Sequence, residues 1–360
     1  MEKEYIVLGM MSGTSLDGLD LALCRFKKED NEWQYDIISS TTIEYETDFK
    51  QRLGNAIQAS GYELLKLDCD FGKLIALEIK LFLAKEKLQP TLIASHGQTI
   101  FHRPELGFTT QIGNGAVIAA ETGITTVCDF RSLDVALGGQ GAPLVPVGDE
   151  YLFGKYDLCL NLGGFSNISY KQNGIRKAFD ISPCNLPLNL LAQQLGLTYD
   201  KDGAMARSGK VDKELLEQLD NLPFYQTQGP KSLGFEWLES HFLPHILNAE
   251  IAVEDKLCTV TEHIAGQIAR IANPVSGSTL LITGGGANNR FLIERLSDLS
   301  NKQVIIPDRQ TIEYKEALVF AFLGLLRMRG EINCFASVTG ATQDSSCGAI
   351  IFTSPLTNAF

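Results

Sequence analysis

The sequence predicts an α/β fold made of two similar lobes with a cleft between them. Strand-like and helix-like segments alternate along the chain, as they do in sheets that carry helices on their faces. A strand, a glycine-rich turn and a second strand open each half, and the two copies lie about 150 residues apart. The same order of elements follows each copy. We therefore expect an internal duplication in which the two glycine turns face each other.

The elements of the first half follow from their hydrophobic periodicity. Apolar runs at 5–8 and 19–26 predict two strands around a glycine-rich turn, and 36–44 predicts a third. Helical periodicity covers 48–60 and 71–88, where Pro90 stops the second helix. Further strands are predicted at 91–95, 109–113 and 125–130, with a helix at 116–122.

The second half begins with strand, glycine turn and strand over 157–170, followed by a strand at 175–181. Helices are predicted at 186–195, 213–219, 259–271 and 314–328, and a further helix ends at 299. Strands are predicted at 279–283 and 302–306. We place the first lobe at 1–130 and the second at 131–360, with the last residues free to pack on the first lobe.

Composition and charge exclude several classes of protein. The net charge of −12 argues against a nucleic-acid binder, which would present a basic face. No apolar run approaches the length of a membrane span, and the N-terminus does not resemble a signal peptide. The 8 cysteines are scattered, which favours reduced thiols in a cytoplasmic protein. We expect small-molecule partners; the chain could act as a monomer or as a homodimer.

Three glycine loops are candidates for nucleotide binding: 13–18, 163–164 and 284–286. Glycine leaves backbone N–H groups uncovered, and such groups can hold phosphate oxygens. No lysine follows Gly13, so the first loop is not a P-loop of the usual kind. Each loop alone could be an ordinary turn. Together, in this order and spacing, they resemble the two phosphate elements and the adenosine element of the actin–hexokinase superfamily, whose lobes are ribonuclease H-like.

Longer motifs resemble one family in that superfamily, anhydro-N-acetylmuramic acid kinase. The motifs cover nearly the whole chain: GMMSGTSLDGLD (9–20), SHGQTIFHRP (95–104), DFRSLD (129–134), GGQGAPLVP (138–146), NLGGFSN (161–167), GGGAN (284–288) and SVTGA (337–341). The resemblance implies phosphorylation of 1,6-anhydro-N-acetylmuramic acid on O6 while water opens the anhydro ring. It also implies ATP and Mg²⁺ as cofactors, and a place in peptidoglycan recycling.

One segment departs from the family pattern. Where the family has Asp-Thr-Gly-Pro-Gly-Asn, this chain has DISPCN over 180–185, so Ser182 and Cys184 replace two glycines. If those glycines serve a positive φ or a close approach of the sugar, the replacements alter the wall of the pocket. Two alternatives therefore stay open: a plain sugar kinase without ring opening, and an inactive nucleotide-binding relative.

Asp180 is the candidate general base. The leaving oxygen O6 receives the phosphoryl group, so a single carboxylate that deprotonates the attacking water is enough. The alternative is a solvated or capping aspartate at a strand end. Glu316, in EALVFA (316–321), could orient the water or a sugar hydroxyl, or could only favour a helix N-terminus.

The remaining candidates bind ligands. The nucleotide set is Gly13, Thr14, Ser15, Leu16, Asp17, Gly18, Leu19, Asp20, Asn161, Gly163, Gly164, Gly284, Gly285, Gly286 and Asn288. Asp17 could hold Mg²⁺, directly or through water, whereas Asp20 could simply be the solvent face of its strand. The sugar set is His96, Gln98, Arg131, Gln140 and Asn185. Arg131 could bind the lactyl carboxylate of the sugar, or could form an ion pair with Asp129 or Asp134.

Overall fold

The computed structural model describes residues 3–13, 15–227 and 231–353. The chain divides into two compact units. Unit 1 contains the described residues of Met1–Leu152 and Tyr314–Phe360, and unit 2 contains those of Phe153–Glu313. No helix among the described residues is both long and apolar enough to cross a membrane.

Unit 1 contains a seven-stranded sheet in the order β12-β6-β4-β1-β2-β3, with β5 paired to β4. Its strands are β1 (Glu4–Ser12), β2 (Leu19–Glu29), β3 (Glu32–Ile43), β4 (Leu92–Arg103), β5 (Phe108–Ile112), β6 (Thr126–Cys128) and β12 (Ala349–Ile351). Strands β1, β2 and β3 form an antiparallel meander, and β4 adds to β1 in parallel.

Unit 2 contains a five-stranded sheet in the order β11-β10-β7-β8-β9. Its strands are β7 (Leu158–Leu162), β8 (Phe165–Gln172), β9 (Ile175–Pro183), β10 (Thr279–Thr283) and β11 (Gln303–Ile305). Here too an antiparallel meander comes first, and β10 then joins β7 in parallel. The mixed α/β class and the repeated pattern of elements are therefore confirmed.

Helices cover both sheets. They are α1 (Thr47–Gly54), α2 (Gly61–Glu86), α3 (Gly115–Thr122), α4 (Ser132–Ala136), α5 (Pro146–Tyr151), α6 (Asn185–Gln194), α7 (Ala204–Ser208), α8 (Lys213–Asp220), α9 (Pro223–Gln226), α10 (Phe235–Trp237), α11 (Leu243–Asn248), α12 (Val253–Ala272), α13 (Arg290–Leu299), α14 (Arg309–Met328) and α15 (Ala336–Thr339). A π-helical turn, Leu238–Phe242, joins α10 to α11.

Helix α2 begins ten residues before the predicted start at 71, at Gly61. Ser60 accepts a hydrogen bond from the Glu63 N–H, and the Glu63 side chain accepts one from the Ser60 N–H. This capping box is visible in the sequence as Ser-x-x-Glu, and the hydrophobic periodicity alone did not reveal it. The first two turns are mostly exposed, which is why no apolar stripe marks them.

The observed division differs from the predicted boundary between residues 130 and 131. Residues 131–152 stay with unit 1, and the chain returns to unit 1 at Tyr314, within α14. Glycines make this return possible: a β-carbon on Gly9 of β1 would overlap the Ala317 carbonyl oxygen, and one on Gly324 would lie 2.6 Å from the Ala94 side chain. The sheet of unit 1 and α14 therefore pack at backbone distance.

Candidate active site

The first glycine loop connects β1 to β2 in unit 1. The Leu16 N–H donates to the Gly13 carbonyl oxygen at 3.1 Å, and Leu16 has a positive φ of 54°. A β-carbon on Gly18 would lie 2.7 Å from the Ile43 carbonyl oxygen, so the close approach of β3 requires glycine there. Ser15 and Asp17 are exposed. The loop therefore presents backbone and short polar side chains to solvent, and its contact with ATP stays a prediction.

Three other residues predicted for this loop differ in their placement. Leu19 is completely buried in the core of unit 1, so its side chain is not available to a ligand. Asp20 accepts a hydrogen bond from the Thr42 hydroxyl at 2.6 Å across β2 and β3. Thr14 lies outside the described residues. The exposed carboxylate of the loop is thus that of Asp17.

Gln98 lies beneath this loop and not on its surface. Its Oε1 accepts a hydrogen bond of 2.5 Å from Ser12, and the Ser12 hydroxyl also lies 2.5 Å from that of Tyr45. Gln98 is only 3% exposed. These contacts fix the end of β1 where the loop begins. The structure therefore gives Gln98 a support function, and its contact with the sugar stays a prediction.

Arg131 is held by acceptors from two segments of unit 1. Its Nε donates to His96 Nε2 at 3.0 Å, and its Nη1 donates to the Gly141 carbonyl oxygen at 2.6 Å. The alternative, an ion pair with Asp129 or Asp134, does not form among the described residues. Burial lowers the pKa of Arg131 to about 10, although the negative charge of Glu316 opposes this shift. Its Nη2 donates to no acceptor among the described residues.

His96 acts on Arg131 from within the core. Because Nε2 accepts from Arg131, the proton of the imidazole lies on Nδ1, which contacts the Gly97 carbonyl oxygen at 2.9 Å. Burial and the Arg131 charge hold the pKa of His96 well below its usual value. His96 is therefore neutral. It orients Arg131, and the residue is only 4% exposed.

Asp134 connects the GGQG segment to the SVTGA segment, a function that sequence reasoning missed. Its Oδ2 accepts from the Gly141 N–H at 2.7 Å, and its Oδ1 accepts from the Thr339 hydroxyl at 2.7 Å. The Gln140 N–H donates to the Thr339 carbonyl oxygen at 2.9 Å, while the Gln140 side chain is exposed. A β-carbon on Gly139 would overlap Asp134 Oδ2, so the packing of the GGQG segment on Asp134 requires glycine there.

Glu316 lies on α14, whose backbone contacts β1. Part of its side chain is exposed to solvent. The surrounding protein nevertheless desolvates the carboxyl group, and this desolvation raises its pKa. The charges of Arg131 and Lys315 oppose this shift, and the charge of Asp17 adds to it. Glu316, Asp17 and Arg131 are therefore close enough in unit 1 to influence one another electrostatically. Among the described residues, Glu316 has these charged neighbours but no hydrogen-bond partner.

In unit 2 the structure brings together the second and third glycine loops. A β-carbon on Gly284, which has a positive φ of 83°, would lie 2.6 Å from Asn161 Oδ1. A β-carbon on Gly286 would lie 2.6 Å from the Leu162 side chain and 3.0 Å from Asn185 Oδ1. Only glycine permits this approach at both positions.

Asn185 completes the cluster formed by these loops. Its side-chain nitrogen donates to the Leu162 carbonyl oxygen at 2.9 Å, and its N–H donates to the Gly163 carbonyl oxygen at 3.1 Å. The Gly164 carbonyl oxygen accepts from the Cys184 N–H at 2.8 Å. Gly285 and Asn288 are exposed on the adjoining turn, Gly285–Asn288. Asn185 therefore lies with the residues predicted to bind the nucleotide.

Asp180 lies on β9, at the edge of the unit 2 sheet. It is partly buried, and burial raises the pKa of its carboxyl. The Leu233 N–H donates to Oδ2 at 2.8 Å, which partly offsets this shift. Oδ1 accepts no hydrogen bond from the described residues. One oxygen is thus fixed and the other is available, which suits a proton acceptor.

The two replacements near Asp180 point into the protein. Ser182 is completely buried, and its hydroxyl lies 2.9 Å from that of Ser166 on β8. Cys184 is also completely buried and packs in the core of unit 2. Its φ is −132°, so the backbone there does not require glycine. The expected alteration of the pocket wall by these two side chains is therefore not observed.

The described residues contain no group of three or more His, Cys, Asp or Glu side chains arranged as ligands for a metal ion. Asp17 nevertheless provides an exposed carboxylate beside the first glycine loop. Mg²⁺ in phosphate-transferring sites is often held by only one or two carboxylates together with water and phosphate oxygens. The donor at Asp17 fits such a site.

Comparison with known proteins identifies the class. A family model described as anhydro-N-acetylmuramic acid kinase matches residues 5–353. An anhydro-N-acetylmuramic acid kinase of Sulfurimonas denitrificans is 34% identical over 97% of this chain and 100% of its own length. One of Pseudomonas fluorescens is 39% identical over 96% of this chain and 99% of its own length. A solved ROK family glucokinase from Streptomyces griseus, in complex with glucose and AMPPNP, aligns with a TM-score of 0.42 at 11% identity, covering 89% of this chain and 99% of that chain.

The matches to named kinases extend over almost the whole chain, so the protein is a kinase, an enzyme that transfers a phosphoryl group. The chain belongs to the anhydro-N-acetylmuramic acid kinase family.

Proposed function

We propose that the chain phosphorylates O6 of 1,6-anhydro-N-acetylmuramic acid with ATP while water opens the anhydro ring. The products are N-acetylmuramic acid 6-phosphate and ADP. Membership of the family supports this proposal. A cytoplasmic enzyme of peptidoglycan recycling and amino sugar catabolism is the setting that this reaction implies.

The observation that carries the proposal is the environment of Asp180. Its Oδ2 is fixed by the Leu233 N–H, its Oδ1 is unbonded among the described residues, and burial raises the pKa of its carboxyl. A general base works best when its pKa approaches the working pH and its accepting atom is open. We assign to Asp180 the removal of a proton from the water that attacks C1.

A single carboxylate is enough because the phosphoryl group replaces the proton that a leaving oxygen normally needs. Ordinary glycoside hydrolysis uses one carboxylic acid for the leaving oxygen and a second carboxylate on the other face of the sugar. Here the C1–O6 bond breaks as O6 bonds to the γ-phosphorus and the bond from that phosphorus to ADP breaks. The water oxygen bonds to C1, and its proton goes to Asp180.

ATP is assigned to the glycine loops. In unit 1 the exposed backbone around Ser15 and Asp17 would receive phosphate oxygens, and in unit 2 the turn at Gly285 would lie against the nucleotide. Asp17 would hold Mg²⁺, which neutralises negative charge on the transferring phosphates when it is bound. Burial is the main reason that the pKa of Glu316 is raised, and the nearby charge of Asp17 adds to it. Two neighbouring carboxyl groups support a cation at this place.

The sugar is assigned to Arg131 and Glu316. Arg131 is fixed through two nitrogens, and Nη2 is left for a carboxylate such as that of the lactyl group. Glu316, which has charged neighbours but no hydrogen bond among the described residues, would orient a sugar hydroxyl or the water. Gln140, with its exposed side chain, would add an amide contact.

The test is an ADP-release assay with three sugars: 1,6-anhydro-N-acetylmuramic acid, N-acetylmuramic acid and N-acetylglucosamine. We expect turnover with the first sugar only. Run in oxygen-18 water, the reaction should place the label at C1. Turnover without label would leave a plain kinase, and ATP binding without any ADP release would favour an inactive nucleotide-binding protein.

A further inference from the structure

The segment that contacts Asp180 runs along the free edge of the unit 2 sheet. Among the described strands, β9 pairs only with β8. On its other side the Asp180 N–H donates to the Lys231 carbonyl oxygen at 2.9 Å, and the Leu233 N–H returns to Asp180 Oδ2 at 2.8 Å. Residues 231–233 therefore pair with the strand at the position of the proposed base. The geometry of this carboxylate depends on what holds that short segment.

The side chain of Lys231 anchors the segment. Its Nζ donates to the carbonyl oxygens of Phe224 at 2.8 Å and of Thr227 at 3.2 Å, at the end of α9. The ammonium also lies 4.1 Å from the centroid of the Phe224 ring, a distance typical of a cation–π contact. These contacts direct the charge of Lys231 to α9.

Helix α9 is in turn fixed to the core helix α12. The Tyr225 hydroxyl lies 2.9 Å from His263 Nε2, and His263 Nδ1 lies 2.6 Å from Asp220 Oδ1. His263 is completely buried. The contacts from Lys231 thus end in the buried core of unit 2.

We infer that Lys231 is a positioning residue for Asp180: by fixing residues 231–233 to α9, it keeps the Leu233 N–H on Oδ2 and leaves Oδ1 open for the water. This inference rests on the proposed role of Asp180 as the base. It assigns no chemical step to Lys231 itself.

The influences on the pKa of Asp180 are burial, which raises it, and the Leu233 N–H, which lowers it; no charged side chain contributes among the described residues. Loss of the anchor at Lys231 weakens the second influence and leaves the first. The pKa of Asp180 is therefore expected to rise when the anchor is lost.

The first test is Lys231→Met, which keeps the chain length of the side chain and removes its charge and its donors. We expect kcat to fall by as much as about 100-fold, with the KM for ATP unchanged. The carboxyl titration of Asp180, followed by carbon-13 NMR, should move to higher pH. Lys231→Arg should restore most of kcat. Lys213→Met is the matched control, because Lys213 is exposed at the start of α8.

The NMR titration separates the two proposals. If the titration of Asp180 does not move in Lys231→Met, the positioning role is wrong, whether or not kcat falls. If Asp180→Asn keeps full turnover, the assigned base is wrong instead. In an Asp180→Asn background, Lys231→Met should lower kcat no further; an additional fall would overturn the inference. Should Lys231→Met fail to fold, Phe224→Leu removes the ring beneath the ammonium, keeps an apolar side chain against Tyr225 and Trp237, and should move the titration in the same direction.

Discussion

Gly9 on β1 and Ala317 on α14 approach so closely that a β-carbon at position 9 would overlap the Ala317 carbonyl oxygen. Gly9 belongs to the motif of the first glycine loop, but its own task is packing. Since Glu316 precedes Ala317, this contact also sets the distance between Glu316 and the strand that leads into the loop. The first prediction concerns this glycine.

Gly9→Ala should destabilise unit 1, because the added methyl group meets backbone that has no rotamer to change. Overpacking of this kind costs about 1–3 kcal/mol. The free energy of unfolding, measured in urea, should fall by that amount. Gly61→Ala is the control: a β-carbon there meets no atom within 4 Å, and no loss of stability is expected.

Asp180→Asn should lower kcat by about 10²–10⁴-fold, the usual contribution of a general base. Asparagine keeps the shape and can still accept the Leu233 N–H, so nucleotide affinity should stay close to that of the unaltered protein. Turnover and the dissociation constant for ATP are the two measurements. Loss of both together would show a binding defect and would contradict the assigned role.

The same substitution should make the protein more stable at neutral pH. Burial raises the pKa of the Asp180 carboxyl above its ordinary value of 3.8, so its contribution to stability is present at low pH and is lost as the pH rises through the raised pKa. Asparagine does not ionise, so the Asp180→Asn variant does not lose this stability as the pH rises.

Urea unfolding of both proteins from about pH 4 to about pH 8 measures the effect. The advantage of the Asp180→Asn variant should appear only in the upper part of that range. In the unaltered protein the acidic limb of kcat should lie above the pKa of an ordinary aspartate. An advantage that is equal at every pH would mean that the ionisation of Asp180 is not its source.

His96→Phe should disturb Arg131 without emptying the core. A phenyl ring can still pack on Phe320, whose ring centroid lies 4.5 Å from that of His96, but it offers no acceptor to Arg131 Nε. Leaving such a buried donor unpaired costs about 1–3 kcal/mol. We expect the KM for the sugar to rise about tenfold if the loss falls on binding.

Because the lowered pKa keeps His96 neutral, this residue should contribute nothing to the pH dependence of turnover. The pH profile of the His96→Phe variant between about pH 6 and about pH 8 should therefore match that of the unaltered protein. His102→Phe, which alters a half-exposed histidine on the same strand, provides the comparison. A pH profile altered only in His96→Phe would show that His96 takes up a proton during the reaction.

Hydrophobic periodicity and glycine turns predicted most strands, the repeated order of elements and the three loops. They could not predict which side chains of a loop motif face solvent. Gln98 is directed inward by its hydrogen bond from Ser12, which lies 86 residues earlier in the chain. Ser12 in turn contacts Tyr45, which follows it by 33 residues. Periodicity likewise marks α14 as buried, but it does not tell which sheet covers the helix. Gly9 and Gly324 permit the close contact between α14 and the sheet of unit 1, but this role can be recognised only when the position of the helix is known.

Asp180 was found through the family motif, whereas the residues that hold it were not. Leu233 and Lys231 belong to no motif, and their contacts with Asp180 are made by backbone atoms that any residue possesses. A sequence pattern carries no trace of such contacts. The capping box at Ser60 is different, because its Ser-x-x-Glu pattern is visible in the sequence and indicates the start of α2 that hydrophobic periodicity misses.

The discontinuity of unit 1 has a consequence for synthesis on the ribosome. Unit 2 is continuous in the chain, from Phe153 to Glu313, so all of its residues emerge before α14 is complete. Unit 1 begins first but must wait for α14 and β12, which pack on β1 and pair with β6. Domains fold as units during translation. Unit 2, in the middle of the chain, should therefore complete its folding before unit 1, which contains the beginning of the chain. Until α14 is synthesised, the apolar face of the unit 1 sheet that α14 covers stays exposed and could bind a chaperone.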